Sequence, residues 1–179
     1  MVLGGDISKM IKKIIMIIGL ILIVVFIGNA NLKGNSVYYA KNSLSSNIRD
    51  LELMMLVDNL DNISEKNGFK YKYKSSSIHS IKNEEKNTYF SNSIDEGEYI
   101  YSYSNSERIN YYFNNSFKLE DIIDFGNGMK YIDISTVDEN KLKEEIYENF
   151  KPVLEELENE KPFINLQWIF NWIYRDRIK

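Results

Sequence analysis

Cysteine is absent from this chain, and histidine occurs once, as His79. Without thiols there is no disulfide, no thiolate metal site, no cysteine nucleophile and no lipid-modified cysteine. With one imidazole, a Ser-His-Asp triad or a histidine metal site would rest on His79 alone. That residue stands between serines in a strand or turn pattern and reads as a surface polar group. Proline is nearly missing as well, with 2 in 179 residues, while Ile, Asn, Lys and Tyr abound. Such a balance is the codon bias of an AT-rich genome and points to a bacterial source. It also accounts for the many asparagines and tyrosines without any appeal to function. A surplus of positive charge is lacking too: 22 Lys and Arg face 26 Asp and Glu, a formal net charge of −4. Lys9, Lys12 and Lys13 precede the first apolar run, so the rest of the chain is more acidic still. Nucleic acid, which calls for a clustered basic surface, is thereby excluded as a partner.

The chain does have one long apolar run. Residues 14–28 read IIMIIGLILIVVFIG, without a polar side chain. A spanning helix needs about 20 apolar residues to cross roughly 30 Å of hydrocarbon. Met10, Ile11 and the stems of Lys12 and Lys13 bring the run close to that length, because the ammonium groups can snorkel to the headgroups. The expectation is a transmembrane anchor over 14–28, in contact with the lipid bilayer. The positive-inside rule places a basic N-terminus, 1–13, in the cytoplasm and everything after the run outside. The rival is a cleaved signal peptide. Gly28 and Ala30 stand at positions −3 and −1 of a cut before Asn31, which would give a secreted protein. The run is longer than most signal-peptide cores of about 7–15 residues, which favours the anchor.

Beyond the run, residues 29–42 are polar and read as a linker. Residues 43–179 then form one extracytoplasmic domain, long enough for a real core. In 44–67 apolar residues recur at helical spacing: Leu44, Ile48, Leu51 and Met55, widened by Leu53, Leu56, Val57, Leu60 and Ile63. Gly68 suits the left-handed cap of that helix. The period then changes to two: Phe69, Tyr71 and Tyr73 alternate with Lys70, Lys72 and Lys74, an aromatic face and a cationic face. Lysines on a strand also discourage edge-to-edge pairing. Further strands are expected at 78–81, 88–94, 98–103, 108–113 and 117–125, with turns at 95–97 and 104–106. Asn127-Gly128 suits a two-residue turn into a last strand, 129–135. Strands joined in this way make an antiparallel meander. The stretch 136–139 fits a capping box. Leu142, Ile146, Phe150, Val153 and Leu157 then form a helical stripe that Pro152 either kinks or restarts. Pro162 opens a final segment. The fold class is α+β: a single N-terminal transmembrane helix, then helix, antiparallel β-meander and C-terminal helices.

Carboxylates cluster at Glu84–85, at Asp95, Glu96 and Glu98, and at Glu120, Asp121 and Asp124. A glycosidase needs two acids facing across a cleft, which spacing alone does not provide. The 95–98 turn lacks EF-hand spacing, so no metal site and no cofactor is expected. Two aromatic groups carry more weight. Tyr99, Tyr101 and Tyr103 share one face of a strand, with Tyr111, Tyr112 and Phe113 soon after. An exposed face of that kind stacks on sugars or docks a peptide, whereas a covered one is simply core. In 163–179, Phe163, Trp168, Phe170 and Trp172 lead a segment that is apolar nearly all round and must be covered. Its own core, a partner protein or a membrane surface could cover it, and Arg175, Arg177 and Lys179 suit anionic headgroups.

The order of hydrophobic helix, second helix and antiparallel sheet resembles that of minor pilins and pseudopilins. That family's leader has a glycine followed by a phenylalanine, with a glutamate five residues into the mature chain. Here GGDISKMIKK precedes the run and no acid lies inside it. A helix followed by a curled sheet is similar to cystatin-like folds too, with no shared motif. The expected function is a non-enzymatic, membrane-anchored binding or assembly protein of the bacterial envelope, with an envelope protein as partner. A pilin-like filament subunit and a secreted or anchored glycan hydrolase are the alternatives.

Overall fold

The structure, a computed structural model, describes residues 3–74, 78–93, 97–103, 109–126 and 128–177. Asp95, Glu96, the 104–106 turn, Arg108, Asn127 and Lys179 lie outside the described residues. The fold is α+β. One long helix leads into a seven-stranded antiparallel sheet with shorter helices on one of its faces.

Helix α1 (Leu3–Gly34) is much longer than the apolar run inside it. Within Met10–Gly34, 18 residues average a hydropathy of 2.8, and the stretch is long and apolar enough to cross a membrane. The side chains of 14–27 are exposed, with only Gly19 part-covered, whereas Leu32 packs on the core. The expected linker is therefore structured. The first part of 29–42 completes α1, and most of the rest forms α2 (Ser36–Lys41), with Val37, Tyr39 and Ala40 buried. Its polar composition concealed three core residues.

Helix α3 (Ile48–Asp58) is shorter at both ends than the 44–67 spacing implies. Serines and asparagines explain this, because their side chains satisfy nearby backbone groups and compete with the helix. Ser43 Oγ accepts the Ser45 N–H at 3.3 Å, and Ser45 Oγ accepts the Asn47 N–H at 3.1 Å. Leu44 is consequently left in solvent, 87% exposed. Past Asp58 a 3-10 turn, Leu60–Asn62, takes over. Gly68 caps no helix; it turns the chain into the sheet with φ +81. Every residue from Leu51 to Val57 is buried, as befits a helix enclosed by its neighbours.

The strands are β1 (Phe69–Lys74), β2 (Ile78–Asn83), β3 (Thr88–Ser93), β4 (Glu98–Tyr103), β5 (Ile109–Phe113), β6 (Leu119–Asp124) and β7 (Lys130–Ile132). They pair in sequence order, so β1, with its lysines, is an edge strand. The last hairpin is wider than a two-residue turn, because its ladder closes at Asp124↔Lys130. Phe117 is not in a strand. It sits in the β5–β6 turn with φ +55, its ring stacked 4.7 Å from Phe113 in the core. Helix α4 (Glu139–Glu158) runs through Pro152 without a break. Its N-cap is Asp138, which accepts the N–H groups of Asn140 and Lys141, while Thr136 belongs to a preceding 3-10 turn. Phe150 of α4 reaches the sheet at Phe69 and Phe90. Helix α5 (Gln167–Ile173) closes the described chain.

Candidate functional site

The register decides what each sheet face can do. Phe90 pairs with Tyr101, and Tyr99 with Phe113, so these residues all point towards the helices. Tyr99 and Tyr101 are buried. The tyrosine row is thus core and cannot serve as a docking platform. Tyr101 donates to Glu145 of α4 at 2.9 Å, Tyr103 donates to the same carboxylate, and Asn149 Nδ2 donates to the Tyr101 hydroxyl at 2.7 Å. Burial, with Glu145 beside them, pushes both phenols above their ordinary range. The residues on the other face include Lys72, Lys82, Tyr89, Ser91, Ser102 and Tyr112, none of them buried. Both lysines lie over the Tyr89 ring, at 5.7 and 5.3 Å.

The most developed polar site forms where α3 ends. Asp58 is the last residue of α3, at the negative end of that helix dipole, where an acid is disfavoured. Compensation comes from three other parts of the chain. Asn92 Nδ2 and the Tyr99 hydroxyl donate to Asp58, the hydroxyl at 3.1 Å, and Arg177 donates to its second oxygen. Arg177 also donates to Tyr99 at 3.0 Å. His79 is buried beside them with Nδ1 3.2 Å from the Val57 carbonyl, contrary to its expected place on the surface. Burial raises the Asp58 carboxyl above its usual range, opposed by the Arg177 charge and by the donated hydrogen bonds. Burial and the Asp58 charge push the Tyr99 phenol up, so it remains a proton donor.

These groups line an open cleft of about 680 Å³, joined by Lys33 from α1, Asp61, Asn59, Asn115 and Tyr174. Gly97 forms part of the wall. Its φ is +66, and a Cβ there would stand 2.8 Å from the Asn115 amide, so a larger residue would be strained and would displace that side chain. The cleft is rich in amides and hydroxyls, with charges of both signs. It can hold a polar ligand by hydrogen bonds; its Asp58 carboxylate is already committed to three donors. Asp121 and Asp124 do not line it. Among the described residues, no group of three or more His, Cys, Asp or Glu is placed to hold a metal. Comparison with known families, characterised proteins and solved structures returned no match.

The C-terminal aromatics divide. Phe170 is fully buried, its ring 5.7 Å from Tyr39 and 4.6 Å from Tyr174. Phe163, Trp168 and Trp172 are 98%, 72% and 66% exposed. Arg177, expected at a surface, turns inward to Asp58. None of Asp58, Asn92 and Arg177 was legible as a site in the sequence. The helix reading of 44–67 places Asp58 inside the helix, so its position at a helix C-terminus emerges only from the structure.

Proposed function

We propose that this chain is a single-pass membrane protein of the bacterial envelope. Its α+β domain stands outside the membrane and acts as a binding or assembly module rather than an enzyme. The observation that carries this reading is α1. Its apolar stretch is almost wholly exposed, yet the helix runs unbroken into the domain, where Leu32 packs on the core. Such a surface is stable in lipid and costly in water. The lysines before it favour a cytoplasmic N-terminus. The cleft at Asp58 and Arg177 supports binding, since amides, hydroxyls and the side chains of Lys33 and Asp61 line it.

The test is the mass and location of the mature protein. An intact N-terminal segment in a carbonate-resistant membrane fraction, with the domain digested by protease added outside the cell, is the expected result. A chain starting at Asn31 in the medium would falsify the anchored reading.

A further inference from the structure

The C-terminal segment is pinned to α1 at one height. A methyl built on Gly28 would stand 3.8 Å from Leu166 Cδ1. One turn further along α1, Asn31 Oδ1 lies 2.7 Å from the Tyr39 hydroxyl. That hydroxyl is also 2.8 Å from the Ile164 carbonyl and accepts the Leu166 N–H at 3.1 Å. Gln167 Nε2 donates to the Tyr39 carbonyl at 2.9 Å. Helix α5 cannot lift away from α1 without breaking this set.

The height itself comes from helix geometry. Gly28 is fifteen residues beyond Lys13, about 22 Å at 1.5 Å per residue. The hydrocarbon layer is roughly 30 Å thick. Lys13 can sit below the cytoplasmic headgroups only as far as its side chain reaches back to them. A spanning α1 therefore meets Leu166 at the outer edge of the hydrocarbon, or just within it. At that level the segment leaves uncovered Phe163, Trp168, Trp172 and half of Ile173. Tryptophan favours the headgroup layer, where its ring is half in lipid and its N–H finds water.

We propose that residues 163–173 are an interfacial element. Helix α5 lies in the outer headgroup layer of the membrane that α1 crosses, with Phe163, Trp168 and Trp172 among the lipids. This rests on the anchored reading of α1. The domain is then held at two places and has a fixed orientation. The cleft, which takes Lys33 from α1, opens close to the headgroups.

Trp168 and Trp172 are the chain's only tryptophans, so tryptophan emission, excited beyond the tyrosine absorption band, reports this segment alone. The full chain is reconstituted into phosphatidylcholine vesicles containing lipid brominated either near the carbonyl end or near the methyl end of its tail. The expected result is blue-shifted emission, quenched at least twofold more strongly by the shallow bromines than by the deep ones. Trp168→Phe and Trp172→Phe, both at exposed positions, show whether each ring is inserted. A chain that floats with the vesicles but whose emission bromolipid leaves unchanged would overturn the proposal; the segment would then serve a protein partner or a second copy. A chain that fails to float would overturn the anchored reading itself, and this one with it.

Discussion

Glu52 is a fully buried acid on α3 whose two carboxyl oxygens lack hydrogen-bond partners, with Lys41 Nζ 3.6 Å away. Burial, reinforced by the Glu158 charge, raises its pKa from 4.5 to about 7, against the pull of Lys41. An acid with a raised native pKa contributes stability that is fully present below about 4.5 and lost as pH rises through about 7. That shift corresponds to about 3 kcal/mol. Glu52→Gln, held neutral, should be more stable than the parent at pH 8 and nearly equal to it at pH 4; urea melts at both values decide this. Arg177 offers a second test. Arg177→Ala leaves Asp58 buried without its cation and should cost about 2 kcal/mol. The exposed Arg175→Ala should stay within about 0.5 kcal/mol. Equal melts for the two variants would mean that the Asp58 cluster adds nothing to stability. This cluster was not readable in the chain, because Asp58 and Arg177 are 119 positions apart. Nothing local distinguishes either of them from a surface charge.

Elements were legible wherever periodicity was strong. All seven strands fall within or across the expected ranges, burial alternates along most of β2, β3 and β4, and β1 shows its lysine face as an edge should. Helix ends were less legible, because Ser43, Ser45 and Asn59 bond to nearby backbone groups and cut α3 short. Alternation also cannot say which face of a strand is covered, so the Tyr99 row, which reads first as core or half-buried sheet, stays open as a docking face. Helix α5 shows the same ambiguity resolved within one element, since one side is core and the other is bare. Phe170→Ala should therefore cost about 3 kcal/mol, the loss expected for a buried ring. Trp168→Ser should leave the soluble domain's melt within about 0.5 kcal/mol. Thermal denaturation of both variants checks the division, and a large loss from Trp168→Ser would place that ring in the core.

At the scale of the molecule, the folded domain is expected to hold together without the apolar part of α1. The side chains of 14–27 add nothing to the core, whereas Leu32 and Asn31 do. A fragment of residues 29–179 should keep the cooperative melt of the full chain, read by circular dichroism. Loss of cooperativity would mean that α1 props up the domain from within the membrane. The α+β class and the meander could be read in advance. The start of the domain could not, because α2 hides its buried face in a polar stretch.

The strand order has a kinetic side. Each strand's mate is its neighbour in the chain. Contact order across the sheet is therefore low, and loop-closure entropy is lost in small steps. A chain emerging N-terminus first can zip one hairpin after another, with α3 already formed as a template. No strand waits for a distant partner with its edge bare. Only α4 and α5 arrive late, so the apolar surface they cover, around Phe69, Phe90 and Tyr39, is the last to be sheltered. That leaves a narrow window for aggregation during synthesis.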